Sequence, residues 1–158
     1  MGEVLFKTPG PSPEGLAWDR EALWIVDSET KMIYRISLKE EKVIKSFTVD
    51  VDEPKGLTWD GSSLWVSDNV RKTICRIDIK EGKIVTAIKA PVSLGEGLRS
   101  IEGLAWDGRY LWSACFAGWS SEFFRINPKD GSVKISIFCE CWPRGLTSDG
   151  IYLWSICY

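Results

Sequence analysis

The chain has 158 residues, 44% of them apolar, with 20 basic and 22 acidic side chains and a formal charge of −2. That length and apolar content allow one domain with a core, and mixed charge without a basic stripe excludes a nucleic-acid footprint. The sequence contains no histidine, which excludes Ser-His-Asp and Cys-His catalysis and imidazole metal ligation.

The opening MGEVLFKTPGPS has neither the basic n-region nor the apolar h-region of a signal peptide. No apolar run approaches the roughly 18 residues of a membrane helix. A soluble, cytoplasmic protein with no membrane partner is expected, with secretion after leader removal left open. Phe6 lies nine residues before Gly15, as Phe47 lies nine before Gly56. EVLFKTP therefore reads as an outer strand with no blade before it.

A repeat then begins. GLAWDREALWIVD at 15–27 returns as GLTWDGSSLWVSD at 56–68, GLAWDGRYLWSAC at 103–115 and GLTSDGIYLWSIC at 145–157. In the first unit GLAW is one strand and LWIVD the next, joined by a turn at Asp19, since Asp and Gly tolerate the backbone angles of a tight reversal. MIYRISL and KVIKSFTV are the third and fourth strands. TICRIDI and KIVTAIKA repeat them in the second unit, and FFRIN and SVKISIF in the third. Arg35, Arg76 and Arg125 hold matched positions on the third strands. The fourth unit, GLTSDGIYLWSICY, supplies two strands.

A period of roughly 40–50 residues made of short strands predicts an all-β fold, a β-propeller of four-stranded antiparallel blades. The predicted division is a closing strand at 1–14, blade 1 at 15–55, blade 2 at 56–102, blade 3 at 103–144 and a partial blade 4 at 145–158. Trp18, Trp59 and Trp106 on first strands, and Trp24, Trp65, Trp112 and Trp154 on second strands, are expected to pack between blades. Three closures stay open: a four-bladed ring completed by the N-terminal strand, a fragment of a larger propeller, or a homo-oligomer of chains sharing blades.

The pattern P-x-G-L-x-W-D-G-x-x-L-W-x-x-D, followed by an R-I-D strand, resembles uncharacterised bacterial and archaeal propeller repeats. It is also similar to the propellers of glutaminyl cyclotransferases and, in repeat form, to streptogramin lyases. The resemblance implies the fold. Glu14, Lys55, Glu102 and Arg144 precede the Gly-Leu pairs here, where the cyclotransferases carry Gln, and lyase chemistry leans on histidine, so no catalytic residue is carried over.

Loops from fourth to first strands and from second to third strands share one face, the top. Glu14, Lys55, Glu102 and Arg144 would ring the channel there with alternating sign, either self-neutralising or as a polar seat. Asp27, Asp68, Cys115 and Cys157 end the second strands. The aspartates either bond turn N–H groups or offer carboxylates for a cation or for acid–base work. Cys115, Cys141 and Cys157 are expected to converge on the top, with Cys139 sharing a strand face with Cys141; Cys75 reads as a core filler. These four make a candidate zinc set, a disulfide such as Cys141–Cys157, or free thiols. One C-x-C without paired C-x-x-C knuckles leaves no metal and no cofactor expected.

Trp119 and Trp142 fall outside the repeat register, and APVSLGEGLRSIE at 90–102 is the long insertion. Core packing does not explain these departures. They mark a binding patch of Arg99, Glu102, Phe116, Trp119, Trp142 and Arg144 over blades 3 and 4, or else a cap on the ring end. The expected function is a non-enzymatic binding module for a small molecule, sugar or protein. The alternatives are a transferase- or lyase-type enzyme with Glu102 as its catalytic candidate, and a structural repeat without ligand. A carboxylate isolated from cations in a pocket would favour the enzyme.

Overall fold

A computed structural model of the chain describes residues 7–91, 100–117 and 121–157. Every regular element among them is a strand. Blade 1 comprises β1 (Pro13–Trp18), β2 (Leu23–Asp27), β3 (Met32–Ser37) and β4 (Lys42–Thr48). Blade 2 comprises β5 (Pro54–Trp59), β6 (Leu64–Asp68), β7 (Thr73–Ile77) and β8 (Ile84–Lys89). Blade 3 comprises β9 (Ser100–Trp106), β10 (Leu111–Phe116), β11 (Ser121–Ile126) and β12 (Val133–Cys139). Blade 4 has β13 (Pro143–Ser148) and β14 (Leu153–Cys157). Each sheet is an antiparallel meander in chain order. The fold is an all-β propeller of about four blades. Of EVLFKTP, residues 3–6 lie outside the described residues, and Lys7–Pro9 form no strand.

The repeated letters build one device at the bottom of each blade. Asp60 Oδ1 accepts the N–H groups of Ser62 and Ser63, and its Oδ2 accepts the Trp65 indole N–H at 2.9 Å. Asp19 and Asp107 do the same for Trp24 and Trp112, and each also accepts a third-strand guanidinium, Arg35 Nε at 2.8 Å and Arg125 Nε at 2.9 Å. Arg76 Nε stands 3.3 Å from Asp60. One carboxylate thus ties the turn, the second strand and the third strand. Burial pushes these three carboxyls up, but the hydrogen bonds outweigh it and hold each below its usual range. Gly61 and Gly108 take φ of 97° and 94° in the turn, and Arg20, which replaces that glycine in the first copy, takes 78°.

Packing between blades forms the core. Ala17, Trp24, Val26 and Ile33 of blade 1 pack against Leu57, Leu64, Val66 and Cys75 of blade 2. Trp65, Ile74 and Ile88 of blade 2 pack against Leu104, Leu111, Phe124 and Ile126 of blade 3. Ala105, Trp112, Ala114 and Phe123 meet Leu146 and Leu153 of blade 4. Trp24, Trp65 and Trp112 are buried as expected, and Cys75 is a core filler. The expectation fails for Trp154 and Trp18, which are exposed. The reason is positional: a second-strand tryptophan is covered by the following blade and a first-strand one by the preceding blade. These two belong to the end blades. Val133, Ile135 and Ile137 on β12 are exposed as well, because the two described strands of blade 4 do not extend over them.

Candidate functional site

The first strands line the inner side of the arc around a hollow of about 610 Å³, with Glu14, Lys55, Glu102 and Arg144 among its lining. Glu102 accepts from Lys55 Nζ at 3.0 and 3.2 Å and from the Ser100 hydroxyl, and lies 3.9 Å from Arg144 Nη1. Glu14 is exposed and makes no ion pair among the described residues. The ring is therefore neutralised along three of its four members. Glu102 is not isolated from cations.

A second cavity, of about 340 Å³, opens beside that first hollow over blades 3 and 4. Its lining is Ser100, Glu102, Phe116, Trp142, Pro143 and Arg144. Four of the six predicted patch residues therefore meet around one hollow: Glu102, Phe116, Trp142 and Arg144. Arg99 and Trp119 lie outside the described residues. Phe116 ends β10 and Trp142 sits in the loop crossing to blade 4; their rings meet edge to face, 5.6 Å between centroids at 68°. Trp142 remains half exposed. The hollow thus has one aromatic wall and one wall of paired charges. Such a surface can stack an apolar ligand face while hydrogen-bonding its polar edge.

The change from Asp to Cys at the end of the second strand has a structural meaning. In blade 1, Asp27 accepts the N–H of Ser12 in the incoming crossing loop at 2.6 Å and that of Thr30 at 2.8 Å. In blade 2, Asp68 accepts the N–H of Asp52 at 2.9 Å and that of Arg71 at 3.0 Å. Burial pushes both carboxyls up, and these hydrogen bonds win and hold them down. In blade 4 the matching Cys157 ties the matching loop covalently, through a disulfide to Cys141. A covalent tie has replaced a hydrogen-bonded one. Both oxygens of each aspartate accept turn or loop donors, as the turn-tie reading expects.

Cys115 departs from expectation. Cys115 pairs with Ile101 through the same register shift that sets Asp27 opposite Pro13 and Asp68 opposite Pro54, but its thiol is buried in the blade 2–3 core. Burial pushes it up to about 12, so it stays protonated near neutrality. Cys139, by contrast, ends β12 beside the disulfide, and the sulfurs of Cys139, Cys141 and Cys157 lie within 4.8 Å of one another. The expected shared strand face does not arise, because β12 ends at Cys139 and Cys141 lies in the loop beyond. With Cys141 and Cys157 joined, the trio offers one thiol, and three thiolates would require that bond to be reduced.

Reduction of Cys141–Cys157 should cost about 2–3 kcal/mol, the loop-closure value for a short loop. Hydrogen exchange should report it first in β13 and β14. Equal protection of β14 in oxidised and reduced protein would show that the bond holds nothing.

No family model and no curated protein sequence matches this chain. Its fold is similar to that of the glutaminyl cyclase of Myxococcus xanthus, with a TM-score of 0.72 and 15% identity over 92% of this chain and 67% of that one. It is similar to the virginiamycin B lyase of Staphylococcus aureus, with a TM-score of 0.62 and 20% identity over 92% and 48%. A chain of a nidogen/laminin complex gives 0.68 and 19% over 98% and 59%. The chain spans about half to two thirds of the length of these three. At such identities the likeness shows the propeller fold alone.

Proposed function

We propose that this chain is a non-enzymatic binding module whose ligand seats on the top face, in the hollow between blades 3 and 4. The supporting observation is the meeting of Phe116, Trp142, Glu102 and Arg144 around one cavity of about 340 Å³. Phe116 and Trp142 belong to neither the turn ties nor the inter-blade clusters. Aromatic surface beside an arginine is the composition of binding hot spots, and it suits a sugar ring, a peptide side chain or a protein loop. Glu102 is already engaged by Lys55 and the Ser100 hydroxyl, with Arg144 at 3.9 Å, which weighs against a catalytic role there. The Cys141–Cys157 bond favours an oxidising compartment over the cytoplasm.

The test is a screen of labelled oligosaccharides and peptides against the wild type and a Phe116→Ala/Trp142→Ala variant. Any ligand found should bind the variant at least about tenfold more weakly, with the melting temperature little changed. Undiminished affinity would remove the site. An unfolded double variant would make the two rings structural caps.

A further inference from the structure

The three blade contacts within the chain repeat one arrangement. Each blade has a front, bearing the first-strand glycine and the second-strand tryptophan, and a back, bearing the leucine that follows that glycine. A Cβ on Gly15 would come 2.8 Å from Leu57 Cβ, one on Gly56 would come 2.9 Å from Leu104 Cγ, and one on Gly103 would come 2.8 Å from Leu146 Cβ. Glycine is required at these fronts because the next blade's leucine and backbone lie against it. Gly145 has the same letter at the same register, yet a Cβ there would meet nothing within 4 Å.

The exposures match this pattern. Leu57 and Leu104 are 3% and 2% exposed, whereas Leu16, the same position on the back of blade 1, is 60% exposed. Trp24 and Trp65 are 1% and 2% exposed, whereas Trp154 on the front of blade 4 is 56% exposed. Ile156 beside it and Trp18 beside Leu16 are open as well. The chain therefore carries one unfilled front and one unfilled back, made of the residues that fill each other three times inside it.

We propose that the front of blade 4 receives the back of blade 1 of a second copy of this chain, with Leu16 of one copy seated over Gly145 of the other. The occupant follows from the internal contacts, which show what that front accepts: a first strand reading Gly-Leu. The chain's own blade 1 does not fill it, since both faces stand open in the same structure. The contact is head to tail, and two copies that exchange it close a ring. It lies on the sides of the arc, so it stands or falls independently of the top-face cavity.

Gly145→Val separates folding from docking. The free chain has room for the added carbons, whereas a docked leucine does not. Light scattering and sedimentation should find the wild type dimeric. Gly145→Val and Leu16→Arg should each weaken association at least tenfold while leaving circular dichroism and melting of the dissociated chain unchanged. Mixing the two variants should give a heterodimer held by one sound contact, weaker than the wild-type ring but tighter than either variant alone, because the first keeps a sound back and the second a sound front. A monomeric wild type, a dimer that survives both substitutions, or a mixture that fails to reassociate would each overturn the proposal.

Discussion

Trp65→Ala is expected to lower the free energy of unfolding by about 3–5 kcal/mol, the usual cost of truncating a buried large aromatic. The indole is 2% exposed and packs between blades 2 and 3 with Leu104, Leu111 and Phe124. Its removal opens a void that strands on both sides cannot collapse to fill, because each is held in register by its own ladder. It also leaves Asp60 without its indole donor. Trp142→Ala is the contrast: that ring is half exposed and touches Phe116 edge-on, so its loss should cost about 1 kcal/mol or less. Urea unfolding of the two variants measures both. Equal costs would mean that Trp65 does not hold the blades together.

Asp107→Ala should cost a similar amount, about 3–5 kcal/mol, for a different reason. The carboxylate accepts the Trp112 indole at 2.9 Å, Arg125 Nε at 2.9 Å, and the N–H groups of Arg109 and Tyr110 at 2.9 and 2.7 Å. Deleting it leaves a guanidinium and an indole partly buried without their acceptor, and such orphaned donors are costly. Asp107→Asn keeps the shape and one acceptor oxygen, so it should cost less. The two should also differ with pH. Burial raises the Asp107 carboxyl and the hydrogen bonds lower it by more, so its folded value lies below its unfolded one. Its contribution is then complete above the ordinary carboxyl range near ~4 and is lost as pH falls through the folded value. The stability gap between wild type and Asp107→Asn should therefore narrow below about pH 4. A gap that stays constant down to acid unfolding would show that the carboxylate's charge contributes nothing.

Much of the candidate site could be read from departures within the repeat. Trp142 falls outside the repeat register and meets Phe116, the other predicted aromatic, over one hollow, since loops at one end of antiparallel strands must share a face. The pairing of Glu102 with Lys55 was readable as alternation around the ring. The Asp–Trp–Arg tie was not foreseen, although its signal was present: Asp19, Asp60, Asp107 and Asp149 each precede a tryptophan by five residues, and an arginine recurs on three third strands. Cys115 misled because it shares its register with Asp27, Asp68 and Cys157 yet is buried in the blade 2–3 core, and letter spacing does not reveal what a neighbouring blade covers.

The sequence by itself determined the strands, their turns, the blade period and which faces are apolar. Those follow from local preference and a repeat with few exceptions. Only the tertiary structure decided which equivalent residues are covered. Leu16 and Leu57 carry the same letter in the same register, yet one is open and the other buried. Burial between blades is a property of neighbours, and a repeat unit does not encode whether it has one on each side.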